Sequence, residues 1–169
     1  HPQGYRNAAE LVAGLRKVAP FEISVSAFPE CHPDSPSLAA DIDNLKRKID
    51  AGASRATTQF FFDPECYFRY LEKVAAAGID IEILPGIMPV SSFEGLANMS
   101  SRIGVAIPAW LANHFEGLDA DPETRKLVAA SVAAEMCAKL AEEGFCDFHF
   151  YTLNQSALAI ELCRRLRLG

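Results

Sequence analysis

Within the run LAADIDNLKRKID, Asp41, Asn44 and Lys48 are spaced by three and four residues, so a helix would bring them onto one stripe, with Arg47 further round. Polar groups flanking a core face can reach over a sheet's edge, and the sharper reading is a set of hydrogen-bonding groups for a polar cofactor. Leu38, Ile42, Leu45 and Ile49 form the adjoining stripe, which would press against a sheet. The same pattern also describes an ordinary amphipathic helix with a solvated polar side, and spacing alone leaves both readings open.

Gln59 stands inside the β-forming run RATTQFFF, where alternation puts Thr57, Gln59 and Phe61 on one face. Its amide could both donate and accept at a strand end, or could be tied to neighbouring backbone. Cys31 and His32 are adjacent after another strand-like run, but neighbouring side chains diverge and a thiolate–imidazole pair is not the expectation. His149 and Tyr151 alternate near the end of the chain and precede Thr152, Leu153 and Asn154, positions suited to ligand contact, although a lone histidine on a strand is more often structural. His114 has no partner in the pattern, no nucleophilic triad can be assembled, and no G-x-G-x-x-G follows a strand. PGIMP is too rich in proline to cradle a phosphate with successive backbone N–H groups.

The elements that must hold these residues alternate regularly. A first helix is predicted over residues 7–18, with Leu11, Leu15 and Val18 inward and Pro20 ending it. FEISVSAF predicts a strand over residues 21–28, followed by a loop over 29–36 and a helix over 37–51 that stops at Gly52. A strand over 55–62 leads to Asp63-Pro64, an N-cap and first-turn proline, and to a helix running to Ala77 before Gly78. A strand over 80–84 precedes a loop, Pro85-Gly86-Ile87-Met88-Pro89, and Ser91 or Ser92 caps the next helix.

Pro108 opens a short helical segment, IPAWLANHFEGLD, with Trp110 and Phe115 inward. Asp121-Pro122 starts the longest helix, ending near Gly144, whose apolar face is read as Leu127, Val128, Val132, Met136 and Leu140. A last strand over 145–153 and a helix over 155–166 follow. One helix and then four βα units, the last preceded by a helical insert, require a parallel sheet with right-handed crossovers. An open flavodoxin-like sheet could be built from this order, but nothing marks an edge and the chain opens on a helix. The expectation is one domain over residues 1–169, forming about the second half of a (βα)8 barrel, since a whole barrel takes roughly 250 residues.

Composition narrows the functional classes. Lys plus Arg total 16 against 22 Asp plus Glu, a net charge of −6, so non-specific nucleic-acid binding is not expected. No apolar run approaches the roughly 20 residues of a membrane span, and the first residues lack a signal-peptide layout; a cytoplasmic location is the default. The five cysteines are widely spaced with no C-x-x-C pair, which indicates neither a disulfide framework nor a metal site.

FPECHP, DIDNLKRKIDAGASRATTQFFFD, GIDIEILPGIMPV, IPAWLA, DPETRKLV and DFHFYTLN resemble, in order, segments of the bacterial methylenetetrahydrofolate reductase family. The resemblance covers essentially the whole chain. It implies a TIM-type barrel that binds FAD, takes reducing equivalents from NADH or NADPH, and converts 5,10-methylenetetrahydrofolate to 5-methyltetrahydrofolate in one-carbon metabolism. It further implies Phe28, His32, Asp41, Asn44, Arg47 and Lys48 as flavin contacts, with Asn7 and Ala8 near another. Gln59 takes the place of a glutamine that meets folate and nicotinamide in turn.

Departures from the family pattern are local. Gln155 stands where an arginine suits the glutamate tail of folate, Gly95 replaces a second glutamine, Met99 a phenylalanine, and Phe28 a tyrosine. The family's glutamate proton donor and a flavin-side aspartate belong to earlier strands, so no catalytic acid is expected in this segment. A homo-oligomer is expected. The alternative is a non-catalytic half-barrel that serves as a flavin-binding or assembly module.

Overall fold

The computed structural model describes residues 4–118 and 120–167. Asp119, within the segment expected after Pro108, lies outside the described residues. The chain opens on α1 (Ala8–Val18), capped by Asn7, whose side chain accepts from the Glu10 N–H. It continues as β1 (Ser24–Ala27), α2 (Leu38–Asp50), β2 (Arg55–Phe60), α3 (Pro64–Ala76), β3 (Glu82–Ile87), α4 (Phe93–Ile103), α5 (Ala109–Phe115), α6 (Pro122–Glu142), β4 (His149–Phe150) and α7 (Ser156–Arg165). The expected caps form: Ser37, Asp63, Ser92 and Asp121 each accept a backbone N–H at the start of α2, α3, α4 and α6.

The four strands lie in the order β1-β2-β3-β4, and every pair is parallel. The chain therefore always steps the same way across the sheet, and right-handed crossovers place the connecting helices on one side. A doubly wound sheet, in which the order reverses and both faces are covered, is excluded. Burial agrees. Val25, Ala27, Ala56, Thr58 and Ile83 are buried on the covered face, whereas Ser24, Ser26, Arg55, Thr57, Gln59 and Glu82 line an open, polar one. On that open face Arg55 donates to the Ser24 hydroxyl at 3.1 Å and pairs with Glu22 and Glu82 at 3.7 and 3.8 Å.

Behind β2 and β3 the core is aromatic. Phe61 stacks on Tyr67 with ring centroids 5.3 Å apart, and Phe145 meets the Tyr67 edge at 5.2 Å. The buried Tyr67 hydroxyl donates to the Ile83 carbonyl at 2.6 Å, fastening α3 to β3. Phe61 thus leaves the face expected of it beside Thr57 and Gln59, because regular pairing of β2 with β3 shifts between Thr57 and Phe60 and the strand ends there.

Other expectations are corrected. β3 continues through Pro85 and Gly86 to Ile87, where the proline content predicts a loop. The Gly86 N–H finds the Thr58 hydroxyl at 2.8 Å, which lets the strand run on despite the proline. β4 is only His149–Phe150, although the Tyr151 N–H adds one more bond to the Ile87 carbonyl at 2.8 Å. In α1 the buried residue is Val12, while Leu11 and Val18 are exposed. In α5 Phe115 is buried as expected, but Leu111 takes the inward place assigned to Trp110, which is exposed. Leu127 of α6 is exposed, and Ala129, Ala130, Ala133 and Cys137 join Val132, Met136 and Leu140 in the core. Small residues there let α6 press close on more than one side.

Candidate functional site

At the carboxyl end of β1 the chain turns through residues 28–37 and enters α2. A cavity of about 580 Å³ opens there, lined by Ala8, Ser26, Phe28, His32, Asp41, Asn44, Arg47 and Lys48, with Asp34, Ser35, Pro36 and Ala40 completing the wall. Its size lies in the range of small-molecule and cofactor sites. The spacing that joined Asp41, Asn44, Arg47 and Lys48 on a helix thus brings all four to one opening, and β1 and its loop add Phe28 and His32.

Lys48 is the least ordinary of them. It is 5 % exposed, and its ammonium donates to the Ser26 carbonyl at the end of β1. Burial lowers its pKa, which the nearby Asp41 carboxylate partly opposes. A buried ammonium bonded to a backbone carbonyl is the opposite of a solvated stripe residue, and it favours an anion brought to the cavity. Arg47 and Asn44 are exposed at the same opening, and among the described residues neither side chain makes a hydrogen bond or ion pair. Asp41 is held from the loop side, where the His32 N–H donates to its carboxylate.

His32 Nδ1 accepts from the Asp34 N–H at 3.1 Å, and the His32 ring meets the edge of Phe28 with centroids 4.6 Å apart. The adjacent Cys31 has a positive φ of 81°, and its thiol donates to the His32 carbonyl. Burial and Asp41 raise the Cys31 pKa, which works against a thiolate beside His32. Glu30 receives the Ala106 N–H at 3.3 and 3.2 Å through its two oxygens, tying this loop to the one after α4.

Gln59 lies apart from the large cavity. Its Oε1 accepts the Phe60 N–H at 3.0 Å, leaving the NH2 end unengaged among the described residues. It borders a narrow crevice shared with Phe28, Glu30 and Gly104, so Phe28 separates the two clefts and belongs to both. Gly95 and Met99 line a further small cavity of about 90 Å³ with Met88, Leu96 and Leu153. Asn7 is spent on capping α1, whereas Ala8 reaches the large cavity. Gln155 is exposed at the start of α7 and makes no side-chain cap. The sequence pattern did not single out Ser26, whose backbone carbonyl holds Lys48; a carbonyl leaves no trace in residue type.

A one-sided parallel βα sheet with a polar cleft beyond its strand ends is the arrangement of a barrel-type α/β protein. The methylenetetrahydrofolate reductase family profile matches residues 1–167, and the chain belongs to that family. It is 53% identical over 159 residues to the 5,10-methylenetetrahydrofolate reductase of Escherichia coli (strain K12), covering 94% of this chain and 54% of that protein. The Pectobacterium carotovorum enzyme of the same name is also 53% identical, with 94% and 53% covered. The chain therefore spans about half the length of these curated relatives. Among solved structures, an uncharacterized protein from Clostridium thermocellum that binds two copies of 5-methyl-5,6,7,8-tetrahydrofolic acid shares the fold. Its TM-score is 0.59 at 17% identity, with 94% of this chain and 59% of that one covered. No helix of the described residues is long and apolar enough to cross a membrane.

Proposed function

We propose that this chain is the carboxyl-terminal, flavin-holding half of a (βα)8 methylenetetrahydrofolate reductase. The observation that carries the reading is Lys48, a buried ammonium facing a cofactor-sized cleft beside Arg47, whose side chain makes no ion pair among the described residues. The donor set fits FAD: Lys48 and Arg47 are suited to its diphosphate, and Asn44, Asp41 and the His32–Phe28 pair to hydroxyl and ring portions. Ala8 completes the wall, while Asn7 acts from behind it by starting α1. When bound, FAD would accept hydride from NADH or NADPH and deliver it to 5,10-methylenetetrahydrofolate.

The chain's own part is to bind and orient. Gln59 presents its NH2 from the open face of the sheet, the face that further strands would enclose, and is the residue suited to meet the folate or nicotinamide ring. Gln155, uncharged and exposed, meets the folate tail more weakly than an arginine would. The proton needed to open the folate's five-membered ring comes from an acid on the part of the barrel facing this sheet. The whole protein acts as a homo-oligomer.

The test is purification of the full-length protein carrying this sequence, followed by a visible spectrum and an assay of methylenetetrahydrofolate reduction with each nicotinamide. Bound flavin and turnover are the expected result. A colourless protein that neither takes up FAD nor turns over would overturn the proposal in favour of an assembly module.

A further inference from the structure

Resting on the reading of Gln59 as the ligand-facing amide, we propose that Tyr151 is a positioning residue that fixes Gln59 from two strands away. The stretch of β2 that carries Gln59 is where regular pairing with β3 shifts, between Thr57 and Phe60. β1 still pairs with this stretch through Ala27 and Thr58, so the ladder holds one side of it, and on the side of β3 side chains take the place of the regular ladder. The Thr58 hydroxyl accepts the Gly86 N–H at 2.8 Å, and the Tyr151 hydroxyl donates to the Thr58 carbonyl at 2.9 Å.

That second bond comes from beyond the end of β4 and crosses β3 completely. It is possible because residue 86 is glycine. A Cβ there would lie 2.3 Å from the Thr58 carbonyl oxygen and 2.8 Å from Tyr151 Cε2, in the space where the phenol passes. The ring is further seated by the edge of Phe60, with centroids 5.9 Å apart, and by the Tyr151 N–H on Ile87. Burial keeps the phenol protonated, so it remains a donor through the physiological range. The carbonyl it holds belongs to the peptide leading directly into Gln59, whose Oε1 is in turn closed onto the Phe60 N–H. Orientation of the NH2 end thus depends on a hydroxyl that touches no ligand.

The experiment is a double-mutant cycle in the full-length, flavin-loaded protein with Tyr151→Phe and Gln59→Ala. Tyr151→Phe should fold and retain flavin. It should lower kcat/KM for methylenetetrahydrofolate by about 5- to 10-fold, the loss of one net hydrogen bond, and raise hydrogen exchange at the Phe60 amide. In the Gln59→Ala background the same change should cost less than about 2-fold, because the group it positions is gone. Equal cost in both backgrounds, no cost, or loss of folding would overturn the positioning role while leaving a Gln59→Ala defect intact. Unchanged kinetics in Gln59→Ala alone would overturn both this role and the reading on which it rests.

Discussion

Replacing Lys48 with methionine separates what the fold needs from what the cleft needs. The side chain is nearly the same length, is 5 % exposed, and gives its ammonium one hydrogen bond, to the Ser26 carbonyl. Removing a charged donor of that kind costs about 1.5–3 kcal/mol. Removing the buried charge returns a desolvation cost of about the same size or larger. The two roughly cancel, so apo stability of Lys48→Met should stay within about 1.5 kcal/mol of wild type by urea denaturation. The pH dependence should change as well. The folded pKa lies below the unfolded 10.5, so the unfolded chain holds more protons between the two values and wild-type stability rises with pH across that interval; the variant loses this slope. Flavin binding has no such compensation. A charge-assisted bond to phosphate is worth about 1.5–3 kcal/mol, so FAD affinity, followed by flavin fluorescence, should fall by about 10- to 100-fold. A stability loss above about 3 kcal/mol with unchanged FAD affinity would show Lys48 to be a structural tie and refute the reasoning.

Two further outcomes test the scaffold around the cleft. Glu30 is half buried and its pKa is raised by desolvation, partly opposed by the Ala106 N–H; its contribution is present below 4.5 and is lost as pH rises through the folded value. Glu30→Gln keeps an acceptor for Ala106 and should flatten the fall in stability just above pH 4.5, measured by thermal melts across pH. Gly86→Ala forces a Cβ against the Thr58 carbonyl at 2.3 Å and should cost at least about 2 kcal/mol by denaturant titration; a cost under about 0.5 kcal/mol would mean the strands part there freely.

The helices were the most legible part of the chain because capping residues and glycines punctuate them. Ser37, Asp63 and Asp121 cap where the sequence indicates, and Gly78, Gly104 and Gly144 follow helix ends with positive φ. The strands were less legible. β3 continues through Pro85 because a hydroxyl on a different strand serves Gly86, an arrangement that local pattern cannot express. β4 shrinks to two paired residues: ahead of it Phe145 packs on Tyr67 and Phe68 instead of joining a ladder, and Phe148 stacks on Phe150. At the site, helical spacing sufficed to group Asp41, Asn44, Arg47 and Lys48, but it could not say that Lys48 is buried, since that depends on where the Ser26 carbonyl ends β1. The bridge from Tyr151 to Thr58 spans 93 residues and was invisible for the same reason.

The open face of the sheet bears on how the two clefts work together. Ser24, Arg55 and Glu82 sit in register across β1, β2 and β3, and Ser26 and Thr57 form the next such row. A polar face of this kind, with charges paired near the amino ends of the strands and Gln59 towards the carboxyl ends, is built to look into an enclosed, partly polar interior. α2 carries its cations at the carboxyl end of β1, and β2 carries Gln59 one strand further on, with Phe28 between them. A ligand anchored by phosphates at Arg47 and Lys48 would therefore extend past Phe28 towards Gln59. That ordering makes Phe28, rather than either polar group, the residue whose enlargement should uncouple binding in one cleft from contact in the other.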